Sequence, residues 1–101
     1  MRRAVITVLG RVKGPTYRAF AAAEARRMRI TGYIADRPER GVTIVAEGEE
    51  KDLLHYTHVL RATGHPYIQV TSLDVRWEPA NGSFCRFSIR GTGARRRPTM
   101  R

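Results

Sequence analysis

Residues 10–20, GRVKGPTYRAF, place two glycines and three basic side chains between an apolar run and an alanine-rich one. The pattern predicts a loop between a strand and a helix, where free backbone N–H groups and the helix dipole favour an anion. Gly10 and Gly14 are too close together for a Walker phosphate loop, and no GxGxxG fingerprint occurs in the sequence, so a nucleotide site is not indicated. Two interpretations stay open: a loop that binds phosphate and a simple bend.

Histidine and cysteine residues are the other candidates for chemistry. His55 and His58 lie three positions apart on a predicted helix and His65 follows in a loop, but a metal site needs more ligands than this group supplies. We therefore interpret all three as solvated or packed histidines and predict no metal site. The single cysteine, Cys85, excludes an internal disulfide, and its alternation with Phe87 and Ile89 predicts a core position rather than a nucleophile.

These residues must be positioned by elements that the apolar periodicity predicts. A first strand, AVITVL, precedes the loop, and a helix beginning near Tyr17 follows it. Two extended runs separated by RPERG predict a hairpin, and a second helix opens with acidic residues and closes near Gly64. The runs TSLDVRWEP and FCRFSIR then alternate on either side of a turn at ANGS. The order β-α-β-β-α-β predicts an α+β, ferredoxin-like sandwich, with two helices on one face of a four-stranded antiparallel sheet.

The chain has 101 residues and a formal net charge of +10, of which four arginines in the last seven residues supply +4. This charge favours anionic partners without identifying the anion, and a charge excess that only aids solubility is the alternative. Residues 91–101 lack periodicity and predict a disordered tail, which could hold RNA, DNA or another polyanion, although a short arginine run is usually just solvated. The central strands carry no stacking aromatic residues, which argues against an RNA-binding sheet.

Length and cysteine content bound the remaining expectations. A chain of this length has room for one domain with one modest core. The apolar stretch at the amino end is too short for a membrane span, so no membrane partner is expected. A lone cysteine fits a reducing compartment, and we expect a cytoplasmic protein.

Three blocks of the sequence, taken in order, resemble the acylphosphatase family. GRVKGPTYRAF is similar to the family's signature loop, usually written GRVQGVGFR. GYIADRPERGVTIVAEG resembles its second block, and VRWEPANGSFCRFSIR resembles its closing block. The resemblance covers residues 4–90 and implies the same sandwich fold, with an acylphosphatase-like domain over residues 1–90 followed by the basic tail, residues 91–101.

The resemblance implies hydrolysis of the carboxyl-phosphate bond of small acyl phosphates by water, without metal or cofactor. It implies that Arg18 binds the phosphoryl group and that Asp36 occupies the place of the asparagine that orients the attacking water. The phosphate-binding loop it implies consists of Arg11, Val12, Lys13, Gly14, Pro15, Thr16, Tyr17 and Arg18.

Several residues depart from the family pattern. A carboxylate at Asp36, about 6 Å from a phosphoryl group, repels it by about 3 kcal/mol at an effective dielectric of about 20, and it could form an ion pair with Arg18. Pro15 removes one N–H donor, Thr16 resists the positive φ that glycine permits, and Lys13 adds a charge. Two hypotheses follow: a hydrolase of acyl phosphates, or a catalytically weak or inactive relative that binds phosphate or another polyanion as an interaction module. A third interpretation of Asp36 is that it simply begins a turn.

Overall fold

The computed structural model describes residues 1–12, 14–61 and 65–90 of the chain. Two helices pack against one sheet, and the predicted sandwich is confirmed. The elements in chain order are β1 (Arg2–Arg11), α1 (Pro15–Arg27), β2 (Thr31–Asp36), β3 (Val42–Gly48), α2 (Glu50–Val59), β4 (Gln69–Pro79) and β5 (Phe87–Arg90). Neither helix in these ranges has the length and apolar character needed to cross a bilayer. The predicted basic tail, residues 91–101, lies outside the described residues.

The sheet has five strands in the order β4-β1-β3-β2-β5, so the predicted count of four was wrong. Strand β1 pairs antiparallel with β3 and β4, and β2 pairs antiparallel with β3. Strand β5 pairs parallel to β2, which makes the sheet mixed. The turn predicted at ANGS does not join neighbouring strands, because β4 is already paired with β1 and the chain crosses to the opposite edge before β5 begins.

Alternate residues of the central strands form one buried face. Ala4, Ile6 and Val8 of β1 lie opposite Ala46, Ile44 and Val42 of β3, and all six are fully buried. The predicted alternation of β4 is confirmed, since Leu73, Val75 and Trp77 pack against the same core. The other face of the sheet, opposite the helices, we call the open face.

The alternation predicted for the last strand was wrong at two positions. Phe87 is buried, but Cys85 and Ile89 are exposed. The physical reason is that β5 has only four residues at the sheet edge and that Cys85 precedes it, outside the ladder. Arg26 of α1 donates two hydrogen bonds to the Phe87 carbonyl, at 3.2 Å from Nε and 3.0 Å from Nη2, and thereby tethers β5 to the helix.

Two buried tyrosines connect the helices. The Tyr17 hydroxyl donates to the Leu60 carbonyl at 2.7 Å, and the Tyr56 hydroxyl donates to the Ala21 carbonyl at 2.8 Å. Burial raises the pKa of both phenols well above the ordinary value, so both remain neutral donors. The first bond holds the start of α1 against the end of α2.

A buried carboxylate on the open face anchors the crossing from β4 to β5. Glu47 of β3 is 1% exposed and accepts a hydrogen bond from Arg3 Nε at 2.8 Å. The backbone N–H groups of Asn81 and Gly82 donate to the same carboxylate at 3.3 and 3.2 Å. Burial alone would raise the pKa of Glu47, but the hydrogen bonds and the charge of Arg3 hold it below the usual value.

We predict that Glu47→Gln lowers the free energy of unfolding by about 3 kcal/mol near neutral pH, because Arg3 loses its buried partner. Since the pKa of Glu47 is lower in the folded than in the unfolded protein, its stabilisation is present above the unfolded pKa and is lost as the pH falls through the folded pKa. Urea unfolding at a series of pH values between about 7 and 3 measures both. A difference between parent and variant that does not shrink in acid would contradict the assignment.

Candidate active site

Three segments of the chain meet at one end of the sheet. Strands β1 and β2 both run antiparallel to β3, so they point the same way and end side by side. Val8 of β1 and Asp36 of β2 both lie opposite Val42, on either side of β3. Helix α1 begins at the same end, four residues after β1 stops. The ladder therefore brings Asp36 and the start of α1 together, although they are distant in sequence.

The start of α1 has the features of an anion site. Gly14 precedes the helix with φ +95°, a backbone conformation that L side chains rarely adopt, and Pro15 occupies the first turn. Among the described residues no side chain caps the helix, and its first turn has no acidic residue, so the first-turn N–H groups keep their capacity to donate. Proline fits there because an N–H at the first helical position would have no partner within the helix.

Thr16 does not adopt the positive φ that glycine permits. Thr16 lies within α1, and among the non-glycine residues of the described ranges the left-handed conformation occurs at Arg29. The positive φ at the helix start is provided by Gly14, two residues before Thr16. The substitution of glycine by threonine is therefore compatible with the loop.

Arg18 connects the start of α1 to the end of β2. Its Nε donates to the Gly14 carbonyl at 3.2 Å, and its Nη1 lies 3.7 Å from Asp36 Oδ2. The Arg18 side chain is 19% exposed, so it is largely buried but still reaches solvent. The ion pair expected between these two side chains is present.

Asp36 is the less satisfied member of this pair. Its side chain is 8% exposed, and Oδ1 is buried with no hydrogen-bond partner among the described residues. A buried acceptor without a donor destabilises a fold by about 1–3 kcal/mol, and such a group in a native protein calls for an explanation. The explanation must supply a donor to Asp36 Oδ1, which lies beside Arg18 at the start of α1.

A family model described as Acylphosphatase matches residues 4–89 of the chain. This protein belongs to the acylphosphatase family. The acylphosphatase of Methylococcus capsulatus is 37% identical over 89 residues, which covers 88% of this chain and 96% of the relative. That of Thermus thermophilus is 38% identical over 77 residues, covering 76% and 86%. The crystal structure of the Bacillus subtilis acylphosphatase superposes with a TM-score of 0.82 at 32% identity, covering 88% and 98%.

The side chains of residues 11–18, the segment that resembles the family's signature loop, differ in their exposure to solvent. Arg11 is exposed at the end of β1, whereas Val12 and Tyr17 are buried in the core. Tyr17 therefore has only its backbone N–H to offer to an anion, because its hydroxyl is bonded to Leu60. Lys13 lies outside the described residues.

The histidines and Cys85 are the remaining candidates for chemistry. Within residues 1–12, 14–61 and 65–90, no three His, Cys, Asp or Glu side chains lie close enough together to hold a metal ion. Cys85 is exposed, and the prediction of a core position for it was wrong. His65 instead contacts aromatic rings, with centroids 6.3 Å from Phe20 and 6.3 Å from Tyr67. The sequence did not predict that Phe20, His65 and Tyr67 contact one another. Its one signal was that His65 and Tyr67 lie on either side of Pro66.

We predict that Tyr17→Phe lowers the free energy of unfolding by about 1–2 kcal/mol, because the buried Leu60 carbonyl loses its donor. The affinity for inorganic phosphate should stay at the parent value, since the hydroxyl points away from the loop. Urea unfolding and calorimetric titration with phosphate measure the two effects. Weaker phosphate binding at unchanged stability would instead place the Tyr17 hydroxyl in the anion site.

Proposed function

We propose that this protein hydrolyses small acyl phosphates to a carboxylate and phosphate, without metal or cofactor. Arg18 and the first-turn amides of α1 bind the phosphoryl group, and Asp36 orients the attacking water. One observation carries the proposal. Asp36 Oδ1 is buried beside Arg18 at the start of α1, and within residues 1–12, 14–61 and 65–90 nothing donates to this oxygen or caps the helix. Membership of the acylphosphatase family supports the choice of substrate class.

Phosphate binding follows from the charges at the start of α1. Backbone N–H groups and the positive end of the helix dipole favour phosphoryl oxygens, and a guanidinium pairs with them in a fork. Because Arg18 Nε is held by Gly14, we assign the Nη groups to the phosphoryl oxygens. These donors stabilise the charge that develops as the bond to the leaving carboxylate lengthens.

Water attack requires an acceptor on the side of the phosphorus opposite the leaving group. Asp36 Oδ1 accepts a hydrogen bond from the water, whose oxygen forms the new P–O bond. The bond from phosphorus to the acyl oxygen breaks, and its electron pair leaves with the carboxylate. The displaced proton passes to Asp36 and then to solvent, so Asp36 both positions the water and accepts its proton.

The Arg18–Asp36 ion pair is also the reason to keep a second candidate function. A carboxylate that occupies Arg18 competes with the phosphoryl group for the same guanidinium. If the substrate cannot displace it, the protein is a catalytically weak or inactive relative that binds phosphate or another polyanion as an interaction module. The two candidates differ in turnover and not in fold.

We predict that Arg18→Ala lowers kcat/KM for benzoyl phosphate at least about hundredfold, because charge-assisted bonds to the phosphoryl oxygens are lost. The matched control is Arg40→Ala, which removes the same charge from an exposed position in the β2–β3 turn. Steady-state hydrolysis assays compare the two variants. Equal losses in both would attribute the effect to net charge and contradict a specific role for Arg18.

We predict that Asp36→Ala lowers kcat about hundredfold while it strengthens binding of inorganic phosphate at least about tenfold, because a repelling charge is removed. Asp36→Asn keeps an oxygen that can accept from water, so it should bind phosphate as tightly as the alanine variant and retain far more turnover. Single-turnover kinetics and phosphate titration separate the effects. A silent parent whose activity appears in Asp36→Asn would establish the inactive candidate.

A further inference from the structure

Three aromatic side chains form a continuous row that begins on α1. The row consists of Phe20 on α1 and of His65 and Tyr67, which precede β4. Ring centroids are 6.3 Å apart from Phe20 to His65 and 6.3 Å apart from His65 to Tyr67. At its inner end Phe20 lies 5.9 Å from the buried ring of Tyr17, and at its outer end Tyr67 is 77% exposed. The row therefore runs from the core to solvent.

Strand register places the row at the active-site end of the sheet. β4 enters the sheet at Gln69, which lies opposite Arg11, the last residue of β1. Tyr67 and His65 precede Gln69, so they lie where β1 gives way to the phosphate loop and α1. In the sheet order β4-β1-β3-β2-β5, β4 is the neighbour of β1 on one side, and β2 lies on the other side of β1, beyond β3. The aromatic row is thus on the β4 side of the loop, and Asp36 is on the β2 side.

The geometry of phosphoryl transfer relates these two sides. The attacking and leaving oxygens lie roughly in line through the phosphorus. A water held by Asp36 approaches from the β2 side, so the acyl group must leave toward the β4 side. Resting on the function proposed above, we infer that the aromatic row is the acyl-group subsite and that it selects acyl phosphates with an aromatic acyl group.

The row has the properties that such a subsite needs. Aromatic rings prefer tilted or edge-to-face contacts with centroids about 4.5–7 Å apart, and both contacts within the row have this geometry. The exposed ring of Tyr67 can make the same kind of contact with an aromatic acyl group. The Tyr67 backbone N–H donates to His65 Nδ1 at 3.1 Å, which fixes the turn that carries both rings. An aromatic acyl group would cover the exposed face of Tyr67 and bury apolar area on both partners. An acetyl group is too small to do so.

The first test is the ratio of kcat/KM for benzoyl phosphate over that for acetyl phosphate. We expect the parent to favour benzoyl phosphate and Tyr67→Ala to lower the ratio about tenfold, as the loss of one ring contact implies. Tyr67→Phe, which keeps the ring, should restore the preference. The control is Leu54→Ala, which shortens another exposed apolar side chain, 52% exposed on α2, and should not change the ratio.

A second readout separates this inference from the proposed function. Benzoylphosphonate and acetylphosphonate, in which a P–C bond replaces the scissile linkage, report binding without turnover. Calorimetric titration should show tighter binding of the benzoyl probe by the parent and loss of that difference in Tyr67→Ala. Absence of turnover with the binding preference intact would overturn the hydrolase and leave the subsite standing. A benzoyl-to-acetyl ratio that is near one, or that Tyr67→Ala leaves unchanged, would overturn the subsite.

Discussion

Strand β3 pairs along its length with β1 on one side and β2 on the other, and these two ladders determine where the ends of β1 and β2 lie. Because both neighbours run antiparallel to β3, they run parallel to each other and end at the same edge. One of them leads into α1, and the other ends at Asp36. The closeness of Arg18 to Asp36 is thus a property of strand direction, and the same register sets the side of the loop on which β4 begins.

Two buried carboxylates show how differently one fold treats the same chemical group. Glu47 receives an arginine and two backbone amides, so its charge is compensated and it anchors the crossing to β5. Asp36 has one ion pair at 3.7 Å and an oxygen that no described residue satisfies. The first arrangement stabilises the folded chain, and the second leaves Asp36 Oδ1 without a hydrogen bond. The hydrogen bond that this oxygen does not form on folding can form when an anion and its water bind, and it then contributes to binding.

Local pattern predicted most elements, and tertiary pairing accounts for what it missed. Apolar periodicity located both helices, the β2–β3 hairpin and the inward face of β4, because these depend on neighbours along the chain. The family resemblance singled out Arg18 in the first block and Asp36 in the second, and no periodicity implies that they are close together. Alternation failed at Cys85, since it says nothing about which edge a strand joins. The approach of Phe20 to His65 depends on where β4 enters the sheet, and no local signal in the sequence contains that information.

The parallel pairing of β5 with β2 has a consequence for how the chain folds. Gly32 pairs with Phe87, a contact between residues separated by more than half the chain. Closing so large a loop is entropically unfavourable, so this strand should join after the local hairpin and helices have formed. Until then the outer edge of β2, which carries Asp36, is an unpaired template for another chain. Misassembly during folding is therefore expected along the strand that contributes Asp36, the carboxylate of the proposed active site.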